Sequence, residues 1–202
     1  MSVAATTELE SINIMLAAIG EAPVNSLTGT VPVDVRLAQS TLTETNKEVQ
    51  SEGWSFNTEI DVTLTRDASK QVALSTDVLR IDPNIHQHTD IDAIQRGLKL
   101  YDRLNNKYEF EEDLICTVVY FRTFEEIPEP ARRYITIKAA RIFVDRLVSD
   151  DGLRTYTQQD ETRARAILME TDLSNADHNI LRGDPSLTSV FDTYNPSRAL
   201  IR

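Results

Sequence analysis

Two histidines and two aspartates lie close together in the middle of the chain, and their side chains are of types that bind metal ions. His86-Gln87-His88 is followed by Asp90 and Asp92. In an extended strand these positions would alternate onto one side, where imidazole and carboxylate groups could coordinate a metal. However, the segment follows a Pro-Asn turn, which is typical of a solvated polar loop, and no further His or Cys nearby completes a ligand set. We predict no metal and no cofactor, and the roles of His86 and His88 stay open.

Acidic and nucleophilic residues that could support hydrolysis occur at two other places. Residues 111–113 are Glu-Glu-Asp, and glycosidic cleavage needs two carboxyl groups that flank the bond. Neighbouring residues on a strand point to opposite faces, so an acidic shoulder of a hairpin is the alternative. Ser174, Asp177 and His178 have the residue types of a hydrolytic triad but not its separated placement on converging elements. No nucleophile-elbow, P-loop, dinucleotide-binding or zinc motif occurs, so we predict that the chain is not an enzyme.

The composition is that of a folded, acidic protein. The chain has 202 residues, of which 41% are hydrophobic and 26% charged, and its net charge is -11. No apolar run is long enough to cross a bilayer, and no Lys or Arg precedes the first apolar helix as in a signal peptide. The single cysteine, Cys116, lies in an apolar run, which predicts a buried and inert thiol. We therefore expect synthesis in the cytoplasm and no membrane partner.

The charge is distributed unevenly along the chain. Residues 128–165 contain eight Lys or Arg against six Asp or Glu, which leaves 13 basic and 26 acidic residues elsewhere. This asymmetry is typical of a solvated face, or of a basic element that packs against acidic surfaces of its own chain or of a neighbour. It does not favour a protein that grips DNA, because phosphate binding needs a concentrated positive patch.

The first part of the chain has the period of amphipathic helices. The first helix has an apolar face at Leu9, Ile12, Leu16 and Ile19, and IGEAPVNSL (19–27) ends it. Gly20 can adopt the left-handed conformation of a helix terminus, Pro23 prevents continuation, and Val24 and Leu27 can anchor the turn. A second helix is predicted from about Val33 to Gly53, with a buried stripe of Val35, Ala38, Leu42, Thr45 and Val49.

The middle of the chain changes to the period of strands, and the last part returns to helices. Ile60, Val62 and Leu64 alternate with polar residues, and further strands are predicted at 71–74, 78–81, 98–102 and 114–121. A helix begins near Pro128 with Ile135, Ala139, Ile142, Phe143 and Leu147 in register, and ends near Asp151-Gly152. Another is predicted over 156–173, with Ala164, Ile167 and Leu168 on one side.

These elements predict an α+β fold. We expect an antiparallel helical bundle from residues 1–57 and 124–180, an inserted antiparallel β domain at 58–123, and a C-terminal arm at 181–202. Trp54 and Phe56 share one side if the chain is extended there, so they are candidates for the junction between bundle and β domain. An intermolecular anchor is the alternative role for these aromatic residues.

The chain resembles tail tubular protein A, the head-to-tail adaptor family of short-tailed bacteriophages. The resemblance rests on ELESINIMLAAIGEAPVNSL (8–27), EVQSEGWSFNTE (48–59), LYDR (100–103), FEEIPEPARRYITIKAARIF (124–143), the acidic helix around 160–170 and NILRGDP (179–185). Residues 61–98 are much less family-like.

The resemblance implies a structural protein of the virion tail, made in the host cytoplasm. It implies a dodecameric homo-oligomeric ring that binds the portal protein above, the nozzle (tail tubular protein B) below and tail fibres at its periphery. Double-stranded DNA would pass through the lumen without specific binding. Further candidates for assembly contacts are Arg132, Arg133, Arg141, Asp184 and Tyr194. The alternative function is a tail-associated hydrolase of peptidoglycan or capsule.

Overall fold

The structure is a computed structural model, which describes residues 5–84, 87–147 and 158–175. These residues form four helices and five strands, which confirms the α+β class. The helices are α1 (Glu8–Ala18), α2 (Val33–Ser51), α3 (Glu129–Leu147) and α4 (Gln158–Asn175). The strands are β1 (Thr58–Leu64), β2 (Val78–Pro83), β3 (Ala93–Arg96), β4 (Lys99–Asp102) and β5 (Leu114–Tyr120). None of the described helices is long and apolar enough to span a bilayer.

Helix α1 ends where the sequence predicts. Gly20 has a φ of 83°, its N–H donates to the Ala17 carbonyl, and the Glu21 N–H donates to the Leu16 carbonyl at 3.0 Å. These two bonds form a Schellman motif, which satisfies carbonyls that a helix end would otherwise leave unpaired. Val24 is then tied back to α1, because the Asn13 side chain bonds both its N–H and its carbonyl. The turn IGEAPVNSL is therefore fixed on the helix that it ends.

Helix α3 lies at the centre of the helical part and packs against α1, α2 and α4. Lys138 pairs with Glu48 and Arg146 with Glu44, so α2 runs antiparallel to α3. Helix α4 also runs antiparallel to α3, since its residues 165 and 161 contact residues 134 and 141 respectively. The shared core includes Ile12, Met15, Leu16, Val35, Leu42, Trp54, Tyr134, Ile135, Phe143 and Leu168.

Two apolar positions predicted to be packed are instead exposed. Leu147 at the end of α3 is 41% exposed, and Ile167 of α4 is 43% exposed. Helix α4 packs against α3 alone among the described elements, so its buried stripe is narrow and contains only Ala164 and Leu168. The predicted helix end at Asp151-Gly152 lies outside the described residues.

The strands form an antiparallel three-stranded sheet in the order β1-β5-β2 and a separate β3-β4 hairpin. The strands and the segments that connect them form a second core, which contains Val72, Phe110, Leu114, Cys116 and Val118. The prediction of a strand at 71–74 is wrong, because these residues make only isolated bridges to two different partners, Glu109 and Lys99. Strand β3, which the sequence did not predict, has only four residues.

A β-bulge in β1 exposes the side chain of Ile60, which the sequence predicts to be buried. The register with β5 shifts between Glu59 and Val62, and Asp61 has a φ of 56°. An extra residue in one strand rotates the side chains beside it, so the alternation predicted for β1 is broken. Val62 and Leu64 pack against the second core as expected, whereas Ile60 is 64% exposed and its predicted burial is wrong.

Candidate assembly site at the junction of helices and sheet

The turn that follows α2 joins the helical part to the sheet. Gly53 has a φ of 83°, and its N–H donates to the Gln50 carbonyl, which ends the helix. The next residue, Trp54, is only 6% exposed and packs in the helical core. Its indole N–H donates to the Val49 carbonyl at 2.8 Å, so the polar edge of the ring is satisfied where the ring is buried.

Buried amide side chains connect this turn to the end of β5. Gln50 is fully buried, and its Nε2 donates to the Arg122 carbonyl and to Asn46 Oδ1, both at 2.8 Å. The Arg122 N–H donates back to Gln50 Oε1. Because both backbone groups of Arg122 bind one side chain, the chain leaving the sheet is fixed relative to α2.

Asn57 makes the matching connection at the entrance to the sheet. Its Nδ2 donates to the carbonyls of Gln50 and Tyr120, and its Oδ1 accepts from the Trp54 N–H at 2.8 Å. The Tyr120 N–H donates to the Asn57 carbonyl, so the segments that enter and leave the sheet are bonded to each other. The junction is a buried hydrogen-bonded unit whose members satisfy one another.

Helix α4 reaches the same turn from outside. Asp172 Oδ1 accepts from both the N–H and the hydroxyl of Ser55, at 2.8 and 2.6 Å. Arg165 pairs with Glu52 at 2.7 Å and contacts the Tyr134 hydroxyl. Partial burial opposes the charged form of Arg165, but these partners outweigh burial and raise its pKa. The structure therefore places Trp54 at a point where α2, α4 and the sheet meet, and Phe56 is half-buried against the same core.

The three candidate arginines of α3 differ in their contacts. Arg132 donates to the carbonyls of Thr6, Glu125 and Ile127, so its guanidinium connects the segment before α1 to the segment before α3. Arg133 is exposed and forms no ion pair with any described residue. Of the two, only Arg133 presents an unpaired charge at the surface of the described chain.

Arg141 is the third candidate, and it pairs within the chain. Its guanidinium contacts Glu161 at 2.5 Å and Asp145 at 3.1 Å. Burial opposes its charged form, but the hydrogen bonds and charges of these carboxylates outweigh burial and raise the pKa of Arg141. Lys138 and Arg146 likewise pair with residues of α2, so much of the basic segment is neutralised by acidic groups of its own chain.

A family model described as Tail tubular protein matches residues 9–178, a region that includes all of these contacts except the one from Arg132 to Thr6. The chain belongs to the tail tubular protein family. It is a structural component of the bacteriophage tail, located in the virion tail, where it interacts with other virion proteins. None of the curated proteins matches it.

In the histidine loop of this tail tubular protein, His88 has a structural role. His88 is buried, its Nε2 accepts from the Ile115 N–H at 2.9 Å, and its Nδ1 lies 2.9 Å from Glu112 Oε1. An imidazole that accepts at Nε2 carries its proton on Nδ1, so neither nitrogen is available to a metal. Asp92 pairs with Arg103, and no group of metal-binding side chains occurs within the described residues, from which His86 is excluded.

The carboxylates considered for hydrolysis have partners in this tail tubular protein. Glu111 pairs with Lys70 at 2.7 Å, and the hydrogen bond and charge of Lys70 lower the pKa of Glu111. A glycosidase acid needs a raised pKa, so this shift has the wrong direction. Glu112 contacts His88, as described above. Of the residues considered for a hydrolytic triad, Ser174 is exposed. The other two, Asp177 and His178, lie outside the described residues.

Sequence analysis missed the polar residues that build the junction of this family member. Gln50 and Asn57 bind groups that are 72 and 63 residues away, and Asp172 binds Ser55 over 117 residues. The available signal was Gln50 itself, an amide beside the apolar stripe of α2 and one residue after Val49. The candidates Asp184 and Tyr194 lie outside the described residues.

Proposed function

We propose that this chain is an adaptor of the tail tubular protein A type. In this proposal, copies form a dodecameric ring that joins the portal to the tail nozzle, extends the DNA channel and supports attachment of the tail fibres. The observation that carries the proposal is the family match over residues 9–178. The junction supports it, because a subunit that transmits load between two partners needs its helices and sheet fixed relative to each other.

The proposal divides the subunit into a helical bundle (1–57 and 124–180), an inserted β domain (58–123) and a C-terminal arm (181–202). Two separate hydrophobic cores support the first two units, since the buried residues of one core lie within 1–57 and 124–180 and those of the other within 58–123. In this division the junction aromatics, Trp54 and Phe56, keep the two units in register. Arg133 then becomes the candidate basic contact to a neighbouring virion protein.

The charge of the chain supports passage of DNA through the ring. The net charge is -11, and Lys138, Arg141 and Arg146 are already paired with carboxylates of the same chain. A surface with excess carboxylates repels the phosphate backbone, so DNA can pass the lumen without being retained. A strongly positive lumen in an assembled ring would contradict this part of the proposal.

Co-assembly with the portal protein tests the adaptor role. Purified chain is mixed with portal rings, and the products are separated by size and imaged by electron microscopy. We expect a closed ring of this chain seated on one face of the portal. Persistent failure to bind portal rings would overturn the adaptor proposal, whereas a monomer in isolation would not, because a portal can act as the template for ring closure. Portal mixed with an unrelated acidic protein is the control.

A further inference from the structure

Two exposed patches on α2 and α4 combine apolar side chains with a single charge. The α4 patch consists of Met169, Glu170 and Leu173, and the α2 patch consists of Val33, Arg36 and Leu37. On α4, Met169 is 46% exposed and Leu173 is 61% exposed. On α2, Val33 is 70% exposed and Leu37 is 43% exposed. Neither Glu170 nor Arg36 forms a side-chain bond to any residue that the structure describes. Each patch thus offers apolar surface and one charge of sign opposite to the other.

We propose that the α4 patch of one copy packs on the α2 patch of a neighbouring copy. This inference rests on the proposed ring and names the surfaces through which its copies meet. Because the two patches differ, the contact is head-to-tail. When two copies bind in this way, one copy still has its α2 patch uncovered and the other still has its α4 patch uncovered. Such contacts repeat from copy to copy and close into a ring when the rotation permits.

The direction of the helices determines how the patches meet. Within one copy, α2 and α4 both run antiparallel to α3, so they run in the same direction. Neighbouring copies in the proposed dodecameric ring differ by a rotation of about 30°, so the direction of a helix changes by no more than about 30° from one copy to the next. Helix α4 of one copy therefore meets α2 of the next copy in parallel orientation.

The charges fit the parallel orientation and not the opposite one. With Met169 facing Val33, Leu173 faces Leu37, because both pairs are spaced four residues apart on one helical face. At about 100° per residue, Glu170 and Arg36 then lie on the same side of the contact, about 3 Å apart along the axis. In an antiparallel contact these two charges would lie on opposite sides. The parallel arrangement of α4 on α2 therefore forms both the apolar pairs and the ion pair.

Cross-linking between two variants that each carry one introduced cysteine tests this contact directly. Met169→Cys protein is mixed with Val33→Cys protein and treated with a short bismaleimide, and the linked products are mapped by mass spectrometry. The native Cys116 does not interfere, because it is buried and its pKa is raised to about 12, first by burial and then by the charge of Asp82. Random pairing in an equimolar mixture gives about twice as much 33–169 product as 33–33 or 169–169 product, so we expect the head-to-tail contact to give an excess well above that ratio.

A matched control uses Thr43→Cys with Gln159→Cys, which are exposed positions on the same two helices. In the proposed register they are about 30 Å apart, since each lies ten residues from its patch in opposite directions. Linkage of 33 to 169 no greater than this control would overturn the contact. Products 33–33, 169–169 and 33–169 in the random ratio of about 1:1:2 would overturn its head-to-tail character.

Charge reversal provides a second test. We expect Glu170→Arg or Arg36→Glu alone to lower the 33–169 linkage about fivefold, and the two reversals together to restore it, as for an exposed ion pair. Failure of the double reversal to restore linkage would remove the ion pair from the contact. Rings on portal without 33–169 linkage would refute this contact alone, and linkage without portal binding would refute the adaptor function alone.

Discussion

The end of α2 and two residues of α4 both contact the chain at residues 52–56, but they are attached to it in different ways. Gln50 and Asn57 are buried and bind backbone groups of the chain leaving β5. Helix α4 contributes two buried apolar residues and the contacts of Asp172 and Arg165, which are only partly buried. One attachment lies in the core and the other at the surface.

This difference teaches where the subunit is rigid and where it can adapt. Removing one partner of a buried hydrogen bond leaves the other unsatisfied in a low-dielectric interior, which costs more than the bond itself contributes. Removing one partner of an exposed bond costs little, because water replaces it. We therefore expect the relation of helices to sheet to be fixed, and α4 to move with little loss of stability when a neighbouring copy binds.

The largest expected effect is that of Gln50→Leu. The apolar side chain has a similar volume but leaves Asn46 Oδ1 and both backbone groups of Arg122 without their partner. We expect the free energy of unfolding to fall by about 3–5 kcal/mol, measured by urea denaturation. The control Gln159→Leu is on an exposed face of α4 and should change it by less than about 0.5 kcal/mol. Similar losses for both variants would contradict the distinction between the two attachments.

Gly53→Ala and Gly20→Ala form a matched pair with the next largest effect. Both glycines have a φ of 83°, so an alanine at either position costs about 1–2 kcal/mol of backbone strain. At Gly53 the new Cβ would also lie 2.7 Å from Arg80 Nη2 and 3.3 Å from Val119 Cγ2, whereas at Gly20 nothing lies within 4 Å. We expect the Gly53 variant to lose more stability in thermal or urea unfolding. An equal loss would mean that Arg80 moves aside without cost.

Asp172→Ala should have a small global effect and a clear local one. The variant loses both bonds to Ser55 near the surface, which we expect to lower the free energy of unfolding by less than about 1 kcal/mol. Amide hydrogen exchange should increase in α4 and stay unchanged in β5. Gln159→Ala, at an exposed position of the same helix, is the control. Faster exchange in β5 would show that α4 supports the sheet after all.

The smallest expected effect is the coupling between Glu52 and Arg165. Their side chains are 33% and 44% exposed, so a double-mutant cycle with Glu52→Gln and Arg165→Gln should give about 0.5 kcal/mol. The coupling should decrease further at high salt, because exposed ion pairs are screened. A coupling above about 2 kcal/mol would place this pair with the buried attachments instead.

The sequence predicted the helices well because their signals are local. Gly20 and Gly53 end α1 and α2 in the left-handed conformation, and every residue of the predicted α2 stripe is buried. The exposure of Leu147 and Ile167 could not be predicted. A helical period shows which residues share one face of a helix, but it does not show how many other helices cover that face. Among the described helices, α4 packs against one and α3 against three, and that difference arises only in the tertiary structure.

The sheet and the site were less predictable for related reasons. The bulge that exposes Ile60 is set by the register with β5, which is more than 50 residues away in sequence. The partners of Arg132 are backbone carbonyls, and these leave no trace in residue types. An arginine in a basic segment therefore suggested an external contact, whereas its guanidinium is used inside the chain.

The bond between Asn57 and Tyr120 has a consequence for how the family can diversify. The chain leaves the helices after Asn57 and returns to them after Tyr120, and these two residues are hydrogen-bonded neighbours. Insertions, deletions and substitutions in the loops beyond this point need not change the separation of α2 and α3. A phage lineage can therefore remodel the sheet and its hairpin while the same helical framework is inherited.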